Sequence, residues 1–143
     1  MRFGFCNVVS MTEVTFEIPG LPIAQPRYKF ARIGNHTSTY IPKNHPIHGY
    51  RAAIVEAAKC NAFNTLAAEK NIHIFIRCFF KRPKSHLKKN GDTRKGAPKL
   101  PPRSDVDNLA KGILDALQDS QALFKNDDQV ELLTIQKGYS EKD

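Results

Sequence analysis

The sequence predicts an α+β fold in which helices pack on one face of a mixed β-sheet, as a two-layer sandwich. Two stretches have the apolar periodicity of helices, and several others have the alternation of strands. The length, 143 residues, suits one compact domain rather than two. We therefore expect a single domain over residues 11–143, preceded by an N-terminal extension of residues 1–10 to which no function is assigned.

The first half of the domain is predicted to contain a strand, a hairpin and a helix. Residues 14–18 alternate apolar and polar side chains, and a Pro-Gly pair ends this strand. Residues 28–41 favour a hairpin whose turn is Gly34-Asn35. Residues 46–70 carry apolar side chains three and four positions apart and an alanine-rich run, which favour a helix.

The second half is predicted to contain a strand, a loop, a helix and a final strand. Residues 72–80 alternate with apolar residues on both faces, which is typical of a central strand. Residues 81–103 have no periodicity and are rich in Pro and Gly, which predicts a mobile loop. A helix is expected over 106–118 and a strand over 130–137.

The net charge of +8 is concentrated in the predicted loop. Residues 81–103 hold nine basic residues and one acidic residue, so this segment carries a charge of +8 and the rest of the chain sums to zero. Such a stretch favours a polyanion partner, because bound phosphates release condensed counterions. The alternative is a solvated loop that only aids solubility.

The composition argues against several other classes of protein. The three cysteines form no CxxC pair, which disfavours a disulfide framework or a cysteine zinc site and suits the reducing cytoplasm. His45 and His48 lack further ligands at a recognisable spacing, so zinc is not favoured. No run of 18 apolar residues predicts a membrane span.

Acidic residues at the start of the second predicted helix and before the last strand point to chemistry. Asp105 and Asp107 can converge if Asp105 lies at the N-cap, and Asp128 precedes the final strand. Together these carboxylates can form a hard oxygen site for Mg²⁺ or Mn²⁺. Lys111, one turn beyond Asp107, can direct an ammonium group toward a phosphate or the attacking water.

Each of these features also has a structural explanation. Acids at a helix start cap the helix and complement its dipole, and Asp107 with Lys111 is an ordinary i,i+4 pair. Asp127-Asp128 alone would indicate a turn. The combination of carboxylates with an adjoining basic loop favours a phosphodiesterase, in which a metal ion activates water and stabilises developing charge.

The stretch RSDVDNLAKGILDALQDSQALFKNDDQV, residues 103–130, resembles the RusA family of Holliday junction resolvases across both acidic blocks and their spacing. Weaker similarity extends to Gln25-Pro26-Arg27, Tyr40-Ile41-Pro42 and the Arg82-Pro83-Lys84-Ser85 segment. The sequence departs from the family at Arg103-Ser104, where Lys-Pro is frequent, and in its long basic loop.

The resemblance implies a Mg²⁺-dependent homodimer, often encoded by a phage or prophage, that makes paired nicks in four-way DNA junctions during recombination and repair. It assigns the catalytic aspartates to Asp105, Asp107 and Asp128 and the essential lysine to Lys111. Asp127 either assists or shapes the turn, and Asp115 is interpreted as structural.

We expect DNA contacts from basic residues in and around the loop, and Mn²⁺ as a substitute for Mg²⁺. The candidate contacts are Arg27, Lys84, Lys88, Lys89, Arg94, Lys95 and Arg103. Two alternatives stay open. One is a nuclease of looser selectivity for branched DNA, and the other is a non-catalytic DNA-binding protein. The second is disfavoured, because a binding module gains little from acids placed beside phosphates.

Overall fold

The structure is a computed structural model that describes residues 13–62 and 71–140. Its elements, in chain order, are β1 (Lys29–Ile33), β2 (His36–Tyr40), α1 (Ile47–Asn61), β3 (Ile72–Phe80), α2 (Val106–Ser120) and β4 (Val130–Tyr139). The predicted α+β class is confirmed. The predicted extension, residues 1–10, and the end of the first predicted helix, residues 63–70, lie outside the described residues.

The predicted hairpin is confirmed, with β1 and β2 antiparallel and Lys29 opposite Tyr40. Gly34 has a φ of +60°, while Asn35 is not among the residues of positive φ. Positive φ at only the first central residue distinguishes a type II′ turn from type I′, and glycine adopts it without steric cost.

The second sheet is a parallel pair of β3 and β4. Along β3, Ile74, Ile76 and Cys78 face the helices, whereas the side chains between them face outward. In the described ranges β3 pairs only with β4, so its prediction as a central strand is not borne out there. The outward Phe75 and Phe79, which suggested a second covered face, are 71% and 52% exposed.

The core forms where α1 and α2 pack on the inward face of the parallel sheet. α2 begins after Asp105 and ends before Gln121, whose backbone has the left-handed conformation. Its apolar stripe is buried as the period of 3.6 residues predicts. The buried cluster consists of Ile54, Ala58, Cys78, Leu109, Ile113, Ala116, Leu117 and Phe124. Neither helix of the described ranges has the length and apolar character that crossing a membrane requires.

The segment predicted as the first strand keeps the burial pattern of a strand without pairing. Val14, Phe16 and Ile18 are half-buried and the residues between them are exposed, yet the described structure assigns no strand there. Phe16 and Ile18 pack against the core cluster. Alternation therefore predicted which side chains are buried, but not the backbone pairing, since pairing depends on a distant partner strand.

The basic loop has local structure that the absence of periodicity did not predict. A 3₁₀ turn covers Lys84–His86, and a bridge joins Leu87 to Thr93. Arg82 lies over the Tyr139 ring at 4.1 Å and donates to the Pro98 carbonyl at 3.0 Å. The beginning of the loop is thus attached to the end of β4, and its mobility stays a prediction.

Two ionisable groups in the core have perturbed acidities. Burial, with a smaller coulombic contribution from Cys78, raises the pKa of Tyr50 from 10.0 to about 12. Burial also raises the pKa of the Cys78 thiol. Both side chains are thus held neutral, because the packed interior disfavours their charged forms.

Replacement of a fully buried leucine on α2 tests the core. We expect Leu109→Ala to lower the free energy of unfolding by about 2–5 kcal/mol, because it leaves a cavity among α1, α2 and β3. The exposed Leu100 provides the control, and Leu100→Ala should change stability by less than about 0.5 kcal/mol. Urea denaturation followed by circular dichroism measures both, and equal effects would contradict this assignment of the core.

The raised pKa of Tyr50 predicts loss of stability in alkali. Its contribution is fully present below pH 10.0 and is lost as the pH rises toward about 12, because the unfolded phenol ionises first. We expect Tyr50→Phe to lose less stability than the unchanged protein between pH 9 and pH 11, in urea titrations at each pH. Identical losses in the two proteins would contradict the prediction.

Candidate functional site

Asp105 and Asp107 lie at the beginning of α2, as the sequence predicted. Asp105 occupies the N-cap with an extended backbone, φ −74° and ψ 138°, but its side chain makes no capping hydrogen bond. Asp107 lies in the first turn, and both residues are exposed. No hydrogen bond or ion pair engages either carboxylate within the described ranges, so both stay available to a ligand in solution.

The approach to α2 is fixed by Lys137, which sequence reasoning missed. The ammonium group of Lys137, on β4, donates to the Pro101 carbonyl at 2.9 Å and also to the Ser104 carbonyl, immediately before Asp105. The sequence did contain a signal for this role, because Lys137 is a charged residue on the same inward face of β4 as Ile135. Lys137 therefore acts as a positioning residue for the start of α2.

A second anchor joins the N-terminal segment to the same part of α2. The backbone N–H of Gln25 donates to the Asn108 carbonyl at 3.0 Å, and Gln25 is only 8% exposed. The Gln25 side chain lies against Gly112, where a Cβ would meet its Oε1 at 3.5 Å. Arg27, a predicted DNA contact, comes two residues after Gln25 in the chain. The Gln25 bond therefore places Arg27 near α2, the helix that carries Asp107.

The turn before β4 has its own support. The Asp127 N–H donates to Oε1 of Gln118 at 3.0 Å. Gln129 and Asn126 form a reciprocal capping box, a pattern that was readable as Asn-x-x-Gln. Asp127 and Asp128 are exposed, and no recorded interaction of the described residues engages either carboxylate.

These anchors show that α2 and β4 run in opposite directions. Lys137, near the end of β4, contacts the residues before α2, whereas the turn before β4 contacts Gln118, near the end of α2. Eleven residues separate Asp107 from Gln118, which corresponds to about 16 Å along a helix. In the described part of the chain, no group of three His, Cys, Asp or Glu residues is placed to hold a metal ion.

The structure thus brings Asp105 and Asp107 to one end of α2 and Asp128 to the other. The donor chemistry fits a hard divalent cation, because all three groups are carboxylates without another partner in the described ranges. Within one chain the three carboxylates do not come together, so a single copy of the described residues does not form the complete three-carboxylate site.

Lys111 and Asp115 continue along α2 from Asp107, with different surroundings. Lys111 is exposed, one turn beyond Asp107. Asp115 lies 3.9 Å from the Arg51 guanidinium, which also contacts Asp119 at 3.2 Å. This ion-pair cluster joins α1 to α2, and it supports the interpretation of Asp115 as structural.

The candidate DNA contacts are all exposed, and most lie in the loop that follows β3. That loop leaves the sheet at the same end at which α2 begins, since the residues after Phe80 and before Asp105 adjoin the end of β4. Of the set, Arg94 uses its Nε to donate to the Leu87 carbonyl at 2.7 Å. The exposed residues are Arg27, Lys84, Lys88, Lys89, Arg94, Lys95 and Arg103.

The two histidines considered for zinc serve the start of α1. The Ile47 N–H donates to Nδ1 of His45 at 3.1 Å, and Nε2 of His48 lies 3.0 Å from the Pro42 carbonyl. Each ring thus has a nitrogen engaged with the backbone, and the described residues add no third ligand. These contacts give both histidines a local structural role.

Comparison of the chain with models of known protein families identifies a family of nucleases. The model of the family described as Endodeoxyribonuclease RusA matches residues 19–143, which is nearly the whole chain. The chain therefore belongs to the RusA endodeoxyribonuclease family, as the sequence resemblance indicated. A search of curated proteins finds no match to the chain.

Replacement of Lys137 tests its role at the start of α2. We expect Lys137→Met to lower the free energy of unfolding by about 1.5–3 kcal/mol, because two carbonyls lose a charged donor. Amide hydrogen exchange should increase in residues 109–112, whose N–H groups donate to the first turn of α2, and stay unchanged in β1 and β2. Lys137→Arg, which keeps a charged donor, should recover part of the protection.

The exposed neighbour of Lys137 on β4 supplies the control for this prediction. Gln136→Met should change stability by less than about 0.5 kcal/mol and leave exchange in residues 109–112 unchanged. Unaltered exchange at the start of α2 in Lys137→Met would show that Lys137 does not position that segment.

Proposed function

We propose that this protein is a divalent-metal-dependent endodeoxyribonuclease that resolves four-way DNA junctions by paired hydrolysis of phosphodiester bonds. The family supports endonuclease activity on DNA junctions. The observation that carries the proposal is the pair of exposed carboxylates at the start of α2, without partners in the described ranges, at the end of the sheet where the loop with a charge of +8 also lies. Carboxylates beside a loop that binds DNA would repel the phosphate unless a cation lay between them.

Asp105, Asp107 and Asp128 would hold Mg²⁺, or Mn²⁺ in its place. When bound, such an ion lowers the pKa of a coordinated water and stabilises the charge that develops on the phosphate. Lys111 has a different task. Its ammonium group, one turn from Asp107 on an exposed helix face, contacts the scissile phosphate or orients the attacking water.

The basic residues bind the DNA and bring its backbone to the beginning of α2. Two features support this arrangement: the loop starts at the end of β3 nearest the start of α2, and all seven candidate contacts are exposed. The positive loop offsets the repulsion between phosphates and carboxylates, because its charge acts on the same region of DNA.

The active form is a homodimer in which Asp128 of one copy joins Asp105 and Asp107 of the other. This arrangement is supported by the opposite placement of the two acidic groups along α2 and by the absence of a three-ligand group in one copy of the described residues. A twofold dimer then carries two equivalent sites, which suits paired nicks in a junction with matching arms.

The cellular setting follows from the substrate and from the thiols. Resolution of junctions belongs to DNA recombination and repair. The exposed Cys60 and the buried Cys78 are both free, which suits the reducing cytoplasm. A less selective nuclease for branched DNA and a non-catalytic junction-binding protein are the alternatives that the next experiment separates.

Cleavage of a synthetic four-way junction, beside a linear duplex of matched sequence, tests the proposed function. We expect paired nicks in the junction alone, dependent on Mg²⁺ or Mn²⁺. Asp107→Asn should reduce the rate by at least about 100-fold, because it weakens binding of the ion, which would supply several kcal/mol of charge stabilisation. The control Asp119→Asn changes an acid on the same helix that pairs with Arg51, and it should cut at nearly the normal rate.

Other outcomes would select the alternatives. Equal cutting of junction and duplex would retain the nuclease and remove the junction selectivity. Junction binding without cutting in either metal would contradict the enzymatic proposal and leave a DNA-binding protein.

A further inference from the structure

The β1–β2 hairpin is an exposed arm with no extensive packing against the helices or the parallel sheet in the described structure. Apart from Ala31, which is half-buried, every residue of its two strands is exposed. Phe30 and Ile33 are 74% and 68% exposed. The two side chains lie on opposite faces of β1, so each face must be considered separately.

The charge around this hairpin has a single sign. No Asp or Glu occurs between residues 18 and 55, whereas Arg27, Lys29, Arg32 and Lys43 fall within that range. This basic region is separate in sequence from the loop of residues 81–103. Its charge complements a polyanion and opposes the close approach of a second identical hairpin.

One face of the hairpin combines an aromatic ring with a guanidinium group. Phe30 and Arg32 are two residues apart on β1, so their side chains project from the same face. They lie opposite Thr39 and Thr37, which add hydroxyl groups to that face. An aromatic ring beside a cation and hydroxyls suits contact with bases, sugars and phosphates.

The base of the hairpin is attached to the helix that carries the candidate catalytic residues. Gln25 is bonded to the Asn108 carbonyl, and β1 begins four residues later. The seven residues from Gln25 to Arg32 span at most about 23 Å, which is less than one turn of B-DNA. DNA held at the start of α2 is therefore within reach of the hairpin.

We propose that the β1–β2 hairpin is a DNA-binding arm that docks on a duplex arm of the branched substrate. The major groove admits a two-stranded ribbon of this kind. Arg32 pairs with a phosphate, and Phe30 contacts a sugar or base beside it. This inference rests on the proposed function for the identity of the substrate, but it concerns a surface that the acidic residues do not include.

Binding of a fluorescent four-way junction without divalent metal, measured by anisotropy across salt concentrations, tests the arm. We expect Phe30→Ala to weaken binding by roughly 5-fold or more, because the buried ring loses its apolar contact with sugars or base edges in the groove. Arg32→Gln should weaken binding and reduce the slope of log K against log salt by about 1. Ile33→Ala, similarly exposed on the opposite face, is the control and should bind normally.

Three results would overturn the proposal. The first is unchanged affinity of Phe30→Ala and Arg32→Gln, and the second is an absence of DNA binding by the unchanged protein. The third is dissociation of a dimer by Phe30→Ala in sedimentation, since that would assign the face to contact between copies. Thermal unfolding near that of the unchanged protein shows that each variant is folded.

The proposed function can fail separately. Weakened junction binding by the hairpin variants, with no cutting by the unchanged protein in Mg²⁺ or Mn²⁺, would support the arm and contradict the nuclease. Normal junction cutting with unaffected binding by the variants would support the nuclease and contradict the arm.

Discussion

The antiparallel packing of α2 against β4 is the constraint on which the rest of the structure depends. It is held at one end by Lys137, which donates to the carbonyls of Pro101 and Ser104, and at the other by Gln118, which accepts from the Asp127 N–H. Between these ends, the apolar stripe of α2 enters the core. Because both acidic segments adjoin α2, the same packing determines where every candidate ligand lies.

This packing places the candidate catalytic residues of α2 on its exposed face and its apolar residues in the core. Leu109 and Ile113 point inward, whereas Asp107 and Lys111 occupy exposed positions of the same helix. The carboxylates of Asp105 and Asp107 thus lie outside the core, where they are accessible to a cation. Asp128 lies near the other end of α2, so the described residues of one copy bring no three ligands together, and in the proposed homodimer a second copy would supply the third carboxylate. The basic loop and the β1–β2 hairpin then supply positive surface around a region that would otherwise repel DNA.

Much of the fold was predictable, because its strongest signals are local. The periodicity of α2, the alternation of β3 and the turn at Gly34 all appear where the sequence predicted them. The strand expected over residues 14–18 was wrong in the described structure, since alternation reports burial and not pairing. The candidate carboxylates could be named from spacing, but their separation could not, because it depends on the direction of β4 relative to α2. Lys137 was overlooked for the same reason, since its carbonyl partners are more than thirty residues away.

The central claim, that the acidic site is divided between the ends of α2 and completed by a second copy, is tested by complementation. Asp107→Asn and Asp128→Asn would be prepared separately, then co-refolded in equal amounts and assayed for nicking of a four-way junction in Mg²⁺. In a shared site, each mixed dimer has one intact set of carboxylates, so nicking should return to roughly one quarter of the unchanged level. Mixed dimers that form but remain inactive would contradict the claim, because they would show that all three carboxylates act within one chain.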